Sequence, residues 1–163
     1  MNLDALVTCG YPPWLPTETA RDLDVWWMHD VPFAGTFRMG TDTIVFTVVG
    51  DPDLGVSTWA CTSLTDADLA TLEDHVFDDV DAMFSYVDEL FAGRDAVFVL
   101  ARHDQVTWWT PITIEQDETL LSAANRFLDV ILDQMKADNR SRIERAQVDA
   151  AMRELSADEP VTA

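Results

Sequence analysis

The spacing of apolar positions changes along this chain, and each change predicts a new element. Residues 25–29, 34–39, 43–49 and 56–62 are short runs rich in β-branched and aromatic side chains, bounded by Gly, Pro and Asp. That pattern predicts four strands. In the first, period-two alternation sets Trp26 and Met28 on one face and Val25, Trp27 and His29 on the other. Residues 34–39 and 43–49 read as a hairpin turned at Gly40-Thr41-Asp42, with Gly40 free to adopt positive φ. The run 44–49 is almost wholly apolar, which predicts a central strand. Trp59 falls in the fourth strand and is predicted in the core.

After Leu64 the period lengthens. Thr65 is placed to cap a short helix ending near Asp74, with Asp66 and Asp68 in its first turn. Val80, Met83, Phe84, Val87, Leu90 and Phe91 then recur at helical spacing over 79–92, and Gly93 supplies the stop. Residues 96–101 and 106–110 revert to strand character as a second hairpin, with Trp108 and Trp109 on opposite faces. Pro111 is expected to weaken pairing beyond it. Helix 118–136 has a full apolar stripe. The stretch 140–155 is helical by propensity, but its stripe is thin. The order is four strands, helices, two strands, helices, which predicts an α+β fold: an antiparallel sheet of five or six strands with helices packed on one face and a long C-terminal helix. The absent βαβ rhythm argues against a doubly wound nucleotide-binding fold. The division expected is a Pro-rich arm over 1–20, a core domain over 21–137, and a C-terminal helix with a tail over 138–163. In the arm, Pro12, Pro13 and Pro16 bracket Trp14 and exclude a regular helix or a central strand, which predicts an extended arm that docks on the body or binds a partner.

Charge sharpens this picture. The 163 residues hold 30 acids against ten Lys and Arg, a formal net charge of −20. Residues 1–135 carry 24 acids and five bases, net −19, while residues 136–163 carry six acids and five bases, net −1. With 48% hydrophobic residues the chain is no disordered acidic tail, so the charge belongs to a folded body. Such a body repels nucleic-acid phosphates and anionic membranes and attracts basic protein surfaces. No apolar run nears the roughly 20 residues needed to span a bilayer. Residues 1–10 lack a basic n-region and an apolar h-region. Cys9 and Cys61 show no metal-type spacing. The expectation is a cytoplasmic protein with reduced thiols. Nine Arg against one Lys, with abundant Ala, Asp and Val, is the composition of GC-rich bacterial coding sequence.

Few arrangements carry chemistry. His29, His75 and His103 each neighbour Asp residues, but HExxH, HxH and CxxC are absent, as are Gly-x-Ser-x-Gly and a phosphate-binding glycine loop. Asp74, Asp78, Asp79 and Asp81 lie between the two middle helices without EF-hand spacing, so Asp78 and Asp79 are read as helix caps before cation ligands. No catalytic, cofactor or metal residue is assigned. The aromatic pairs Trp26-Trp27 and Trp108-Trp109 point elsewhere: one member of each faces away from the helices, where two outward Trp would form an interaction patch. The interface residues expected are Trp14, Trp27, Trp109, Asp78, Asp79 and Asp81.

In general character the chain resembles bacterial secretion chaperones and antitoxin or immunity proteins, a likeness of class that transfers no functional residue. The function expected is a non-catalytic module holding a basic or amphipathic protein partner, with a homodimer also compatible with the sheet patch. One alternative is a DNA mimic that inhibits a nucleic-acid enzyme. Another is a small hydrolase, or a metal- or ligand-binding protein, in which a His meets two or more carboxylates in a cleft.

Overall fold

The computed structural model describes residues 20–29, 31–49, 56–73, 75–102 and 105–157, so Trp14 and the rest of the expected arm up to residue 19 lie outside the described residues. Six strands follow one another: β1 (Ala20–His29), β2 (Val31–Met39), β3 (Asp42–Val48), β4 (Val56–Ser63), β5 (Asp95–Arg102) and β6 (Gln105–Thr113). They form one antiparallel sheet in the order β1-β2-β3-β4-β5-β6, each strand paired with its neighbour in sequence. Helices α1 (Asp66–Glu73) and α2 (Val80–Phe91) interrupt this meander, yet β4 and β5 on either side of them still pair, from Val56↔Arg102 to Cys61↔Val97. Helix α3 (Leu120–Ala157) closes the chain. The α+β class, the six-stranded sheet and the long C-terminal helix are as the periodicity predicts.

The chain divides into two compact units, Met1–Phe127 and Leu128–Ala163. In the first, both sheet faces are apolar. One face joins Phe37, Ile44, Phe46, Trp59, Cys61, Val97 and Val99 in a single buried cluster, with Leu23, Phe33, Val106 and Trp109 packed against it. Phe46 links the Phe37 and Trp59 rings at centroid distances of 6.1 and 6.2 Å. The opposite face receives the helices. Phe127 of α3 meets Phe98 of β5 at 5.6 Å, and α2 buries Met83, Val87, Leu90 and Phe91. Two-sided burial explains why β3 and β5 read as continuous apolar runs instead of alternating ones.

Local signals act where expected. The β2–β3 hairpin turns through Gly40 and Thr41, since Asp42 already pairs with Met39. Gly93 ends α2 at φ +69°, a left-handed conformation that any side chain would strain. Three readings need correction. First, β1 begins at Ala20 rather than residue 25, and its pairing with β2 is irregular at three points. Such bulges blunt an edge strand, and their two-against-one pairing breaks the strict alternation that places side chains on faces. Second, Pro111 does not end the last strand. It pairs with Val97 and the ladder runs on to Thr113, because β6 is an edge strand and needs no outward N–H donor. Third, the two C-terminal helical segments are one helix of 38 residues. The intervening 137–139 holds Ala, Asp and Asn, none of which breaks a helix as Pro or Gly does. No helix among the described residues is long and apolar enough to cross a membrane.

Candidate protein-interaction surface

The connection from α1 to α2 carries the most unusual surface of the first unit. Thr65 and Asp68 form a reciprocal cap at the start of α1: the Asp68 N–H donates to Thr65 Oγ1 at 3.2 Å and the Thr65 N–H donates to Asp68 Oδ2 at 2.7 Å. The same carboxylate receives Arg94, which enters from the turn after α2. Arg94 Nη1 and Nη2 donate to Asp68 Oδ2 and Oδ1 at 2.7 and 2.6 Å. This two-pronged pair holds the Asp68 carboxyl far below the usual carboxylate range and raises the Arg94 guanidinium above its ordinary value, with burial opposing both.

Beside this brace, four rings assemble. His75 stacks on Tyr86 at a centroid distance of 4.2 Å and an interplanar angle of 16°. Phe77 lies 5.6 Å from Tyr86 and 4.8 Å from His75. Trp26, from the β1 edge, reaches Phe77 at 5.7 Å and Tyr86 at 6.5 Å. The cluster pins the α1–α2 connection to β1 and α2. It also shields the Tyr86 hydroxyl, which has no hydrogen-bond partner among the described residues. Burial, aided by the negative charges of Asp68 and Glu89, pushes the phenol pKa up.

Between His75 and Phe77, Val76 stands 83% exposed. Asp78, Asp79 and Asp81 follow it closely and are all exposed. Asp79 is the N-cap of α2, its Oδ1 accepting from the Ala82 N–H at 2.8 Å. The expected capping role is therefore met by Asp79, and Asp81 lies in the first turn, where the helix dipole favours a carboxylate. An exposed apolar residue flanked in sequence by clustered aromatic rings and exposed carboxylates suits a partner that presents both an apolar and a basic group.

The structure brings together only part of the expected interface set. Asp78, Asp79 and Asp81 adjoin one another. Trp27 is half-buried on β1. Trp109 is half-buried and packs against the core cluster of the sheet face away from the helices. Val76, Phe77, Tyr86 and Trp26 lie outside the expected set. Their one sequence signal was two apolar residues, Val76-Phe77, in an acidic interhelical loop.

Elsewhere, a cavity of about 640 Å³ is lined by Thr62, Thr65, Arg94, Asp95, Pro111 and Thr113. Its three threonine hydroxyls are already committed: Thr62 donates to the Asp95 carbonyl, Thr65 to Asp68 and Thr113 to the Asp95 carboxylate. Its cation is held by Asp68. Among the described residues, no three His, Cys, Asp or Glu side chains are grouped to hold a metal ion. The side chain of His29 and all of His103 lie outside the described set, and His75 is the ring stacked on Tyr86. Comparison with known proteins finds no matching family model, no similar curated protein and no similar solved structure.

Proposed function

We propose that this protein is a non-catalytic binding module that holds a basic, amphipathic protein segment on the surface around Val76. The observation that carries this reading is that Val76, 83% exposed, is followed within five residues by the exposed Asp78, Asp79 and Asp81. An apolar side chain so exposed gains by being covered. The surrounding carboxylates select a partner rich in Lys or Arg and speed its encounter. The net charge of −19 over residues 1–135 acts in the same direction at longer range. Ion pairs among the described residues engage only Asp68, Glu118 and Asp133, so the rim acids have no ion-pair partner among those residues.

The test is titration of a fluorescent basic amphipathic helical peptide into the protein at low and high salt, with affinity capture from the native host to identify the natural partner. Binding should weaken clearly with salt. It should also fall about tenfold in an Asp78→Asn, Asp81→Asn double variant that keeps the Asp79 cap. Binding that ignores both salt and these substitutions overturns the assignment. Capture of a nucleic-acid enzyme through its basic cleft would favour the DNA-mimic alternative instead.

A further inference from the structure

The second unit carries a different surface, independent of the one around Val76. We infer that α3 beyond Phe127 pairs head to tail with the same segment of a second copy of this chain. Leu132, Met135, Asn139, Ile143 and Ala146 follow one another at spacings of three or four along this helix, which places them on one stripe. Leu132, Met135 and Ile143 are 51%, 58% and 51% exposed. A furrow of about 470 Å³ runs along the stripe, lined by Leu132, Met135, Asn139 and Arg142 among others. Helices draw most of their stability from packing an apolar face, so such a stripe calls for a cover.

Charge identifies the cover. Asp129 and Asp133 lie at the start of this segment, and Lys136, Arg140, Arg142 and Arg145 follow over 136–145, with Asp138 and Glu144 among them; Asp149, Arg153 and Glu154 come after the stripe. A head-to-tail pair sets the acidic end of each helix against the basic run of the other. A parallel pair sets each run against its own copy, which repels. The only intrahelical ion pair described there, Lys136 to Asp133 at 3.1 Å, joins side chains 70% and 78% exposed. It is weakly held and can exchange for a partner across the interface. Asn139 within the stripe supplies the polar position that sets register in paired helices.

Sedimentation equilibrium of the full chain over a wide concentration range tests this. The mass should move from one chain towards two as concentration rises. Reversing the acidic end (Asp129→Lys with Asp133→Lys) or the basic run (Lys136→Glu with Arg140→Glu) should each weaken self-association at least about tenfold. Mixing the two variants should restore a two-chain species. Thermal unfolding of each variant checks that residues 1–127 stay folded. A wild-type chain that remains monomeric throughout overturns the inference, as does association indifferent to both reversals or a mixture that fails to restore it.

Discussion

The Asp88 carboxylate of α2 accepts a hydrogen bond from the backbone N–H of Leu120, the first residue of α3, at 2.9 Å. One helix thus caps the next across 32 positions of sequence. Thr119 Oγ1 accepts from the Ser122 N–H at 3.2 Å, so two of the donors orphaned at this helix start are satisfied by different elements. Asp88→Ala should cost about 1 kcal/mol, the usual value of a lost N-cap, and Asp88→Asn clearly less because an acceptor oxygen remains. Chemical denaturation of the two variants checks this, and equal losses would show that the bond contributes nothing.

Asp68 and Arg94 predict a pH dependence. The Asp68 pKa is depressed in the folded state, so its contribution to stability is complete above the unfolded carboxylate value near about 4. It is lost as pH falls from there towards the lower folded value. Asp68→Asn should cost about 2 kcal/mol at neutral pH and flatten the acid limb of the stability curve. Side-chain exposures of 15% and 27% keep this pair partly screened from water. Unfolding midpoints measured from about pH 7 down to about pH 2 check the expectation. An unchanged acid limb in the variant would remove Asp68 from the account.

Gly35 is required by close approach. A Cβ there would collide with the Asp24 carbonyl oxygen and sit 3.1 Å from the Phe46 ring. Relief would demand movement of β1 backbone against a buried aromatic. Gly35→Ala should therefore destabilise by about 2–3 kcal/mol, whereas a Cβ at Gly40 meets nothing within 4 Å. Hydrogen exchange should show the Gly35→Ala variant opening first in β1 and β2; protection lost evenly over the whole sheet would argue against a local clash.

The Tyr86 hydroxyl carries a cost without a return. It is shielded and unpaired among the described residues, so Tyr86→Phe should raise stability by about 1 kcal/mol while keeping the ring stack on His75. Tyr86→Leu should lower it by loosening contacts with Trp26, His75 and Phe77. Thermal midpoints of the pair decide; destabilisation by Phe would mean the hydroxyl has a partner.

Sequence legibility followed the range of the physics involved. Gly93, Thr65 and Asp79 were readable because capping and left-handed backbone are set by the residue and its near neighbours. Of the proposed interaction surface, only Asp78, Asp79 and Asp81 were readable. The neighbouring aromatic cluster joins Trp26 to Tyr86 across 60 positions, a distance over which no periodicity carries information. Trp27 and Trp109 are both half-buried, a degree of cover that alternation does not give, because it tells which face a side chain takes but not what lies over that face.

By itself, then, the sequence determined the α+β class, the element order, the capped helix starts and an acidic charge confined to the body. Each depends on short-range periodicity, local backbone preference or simple addition of charge. Tertiary structure alone decided the β1-to-β6 meander that closes β4 on β5 around two helices, the bulged pairing permitted by Gly35, and the gathering of Trp26, His75, Phe77 and Tyr86. These rest on contacts between residues far apart in the chain, where the arrangement that buries the most surface without a clash selects the neighbours.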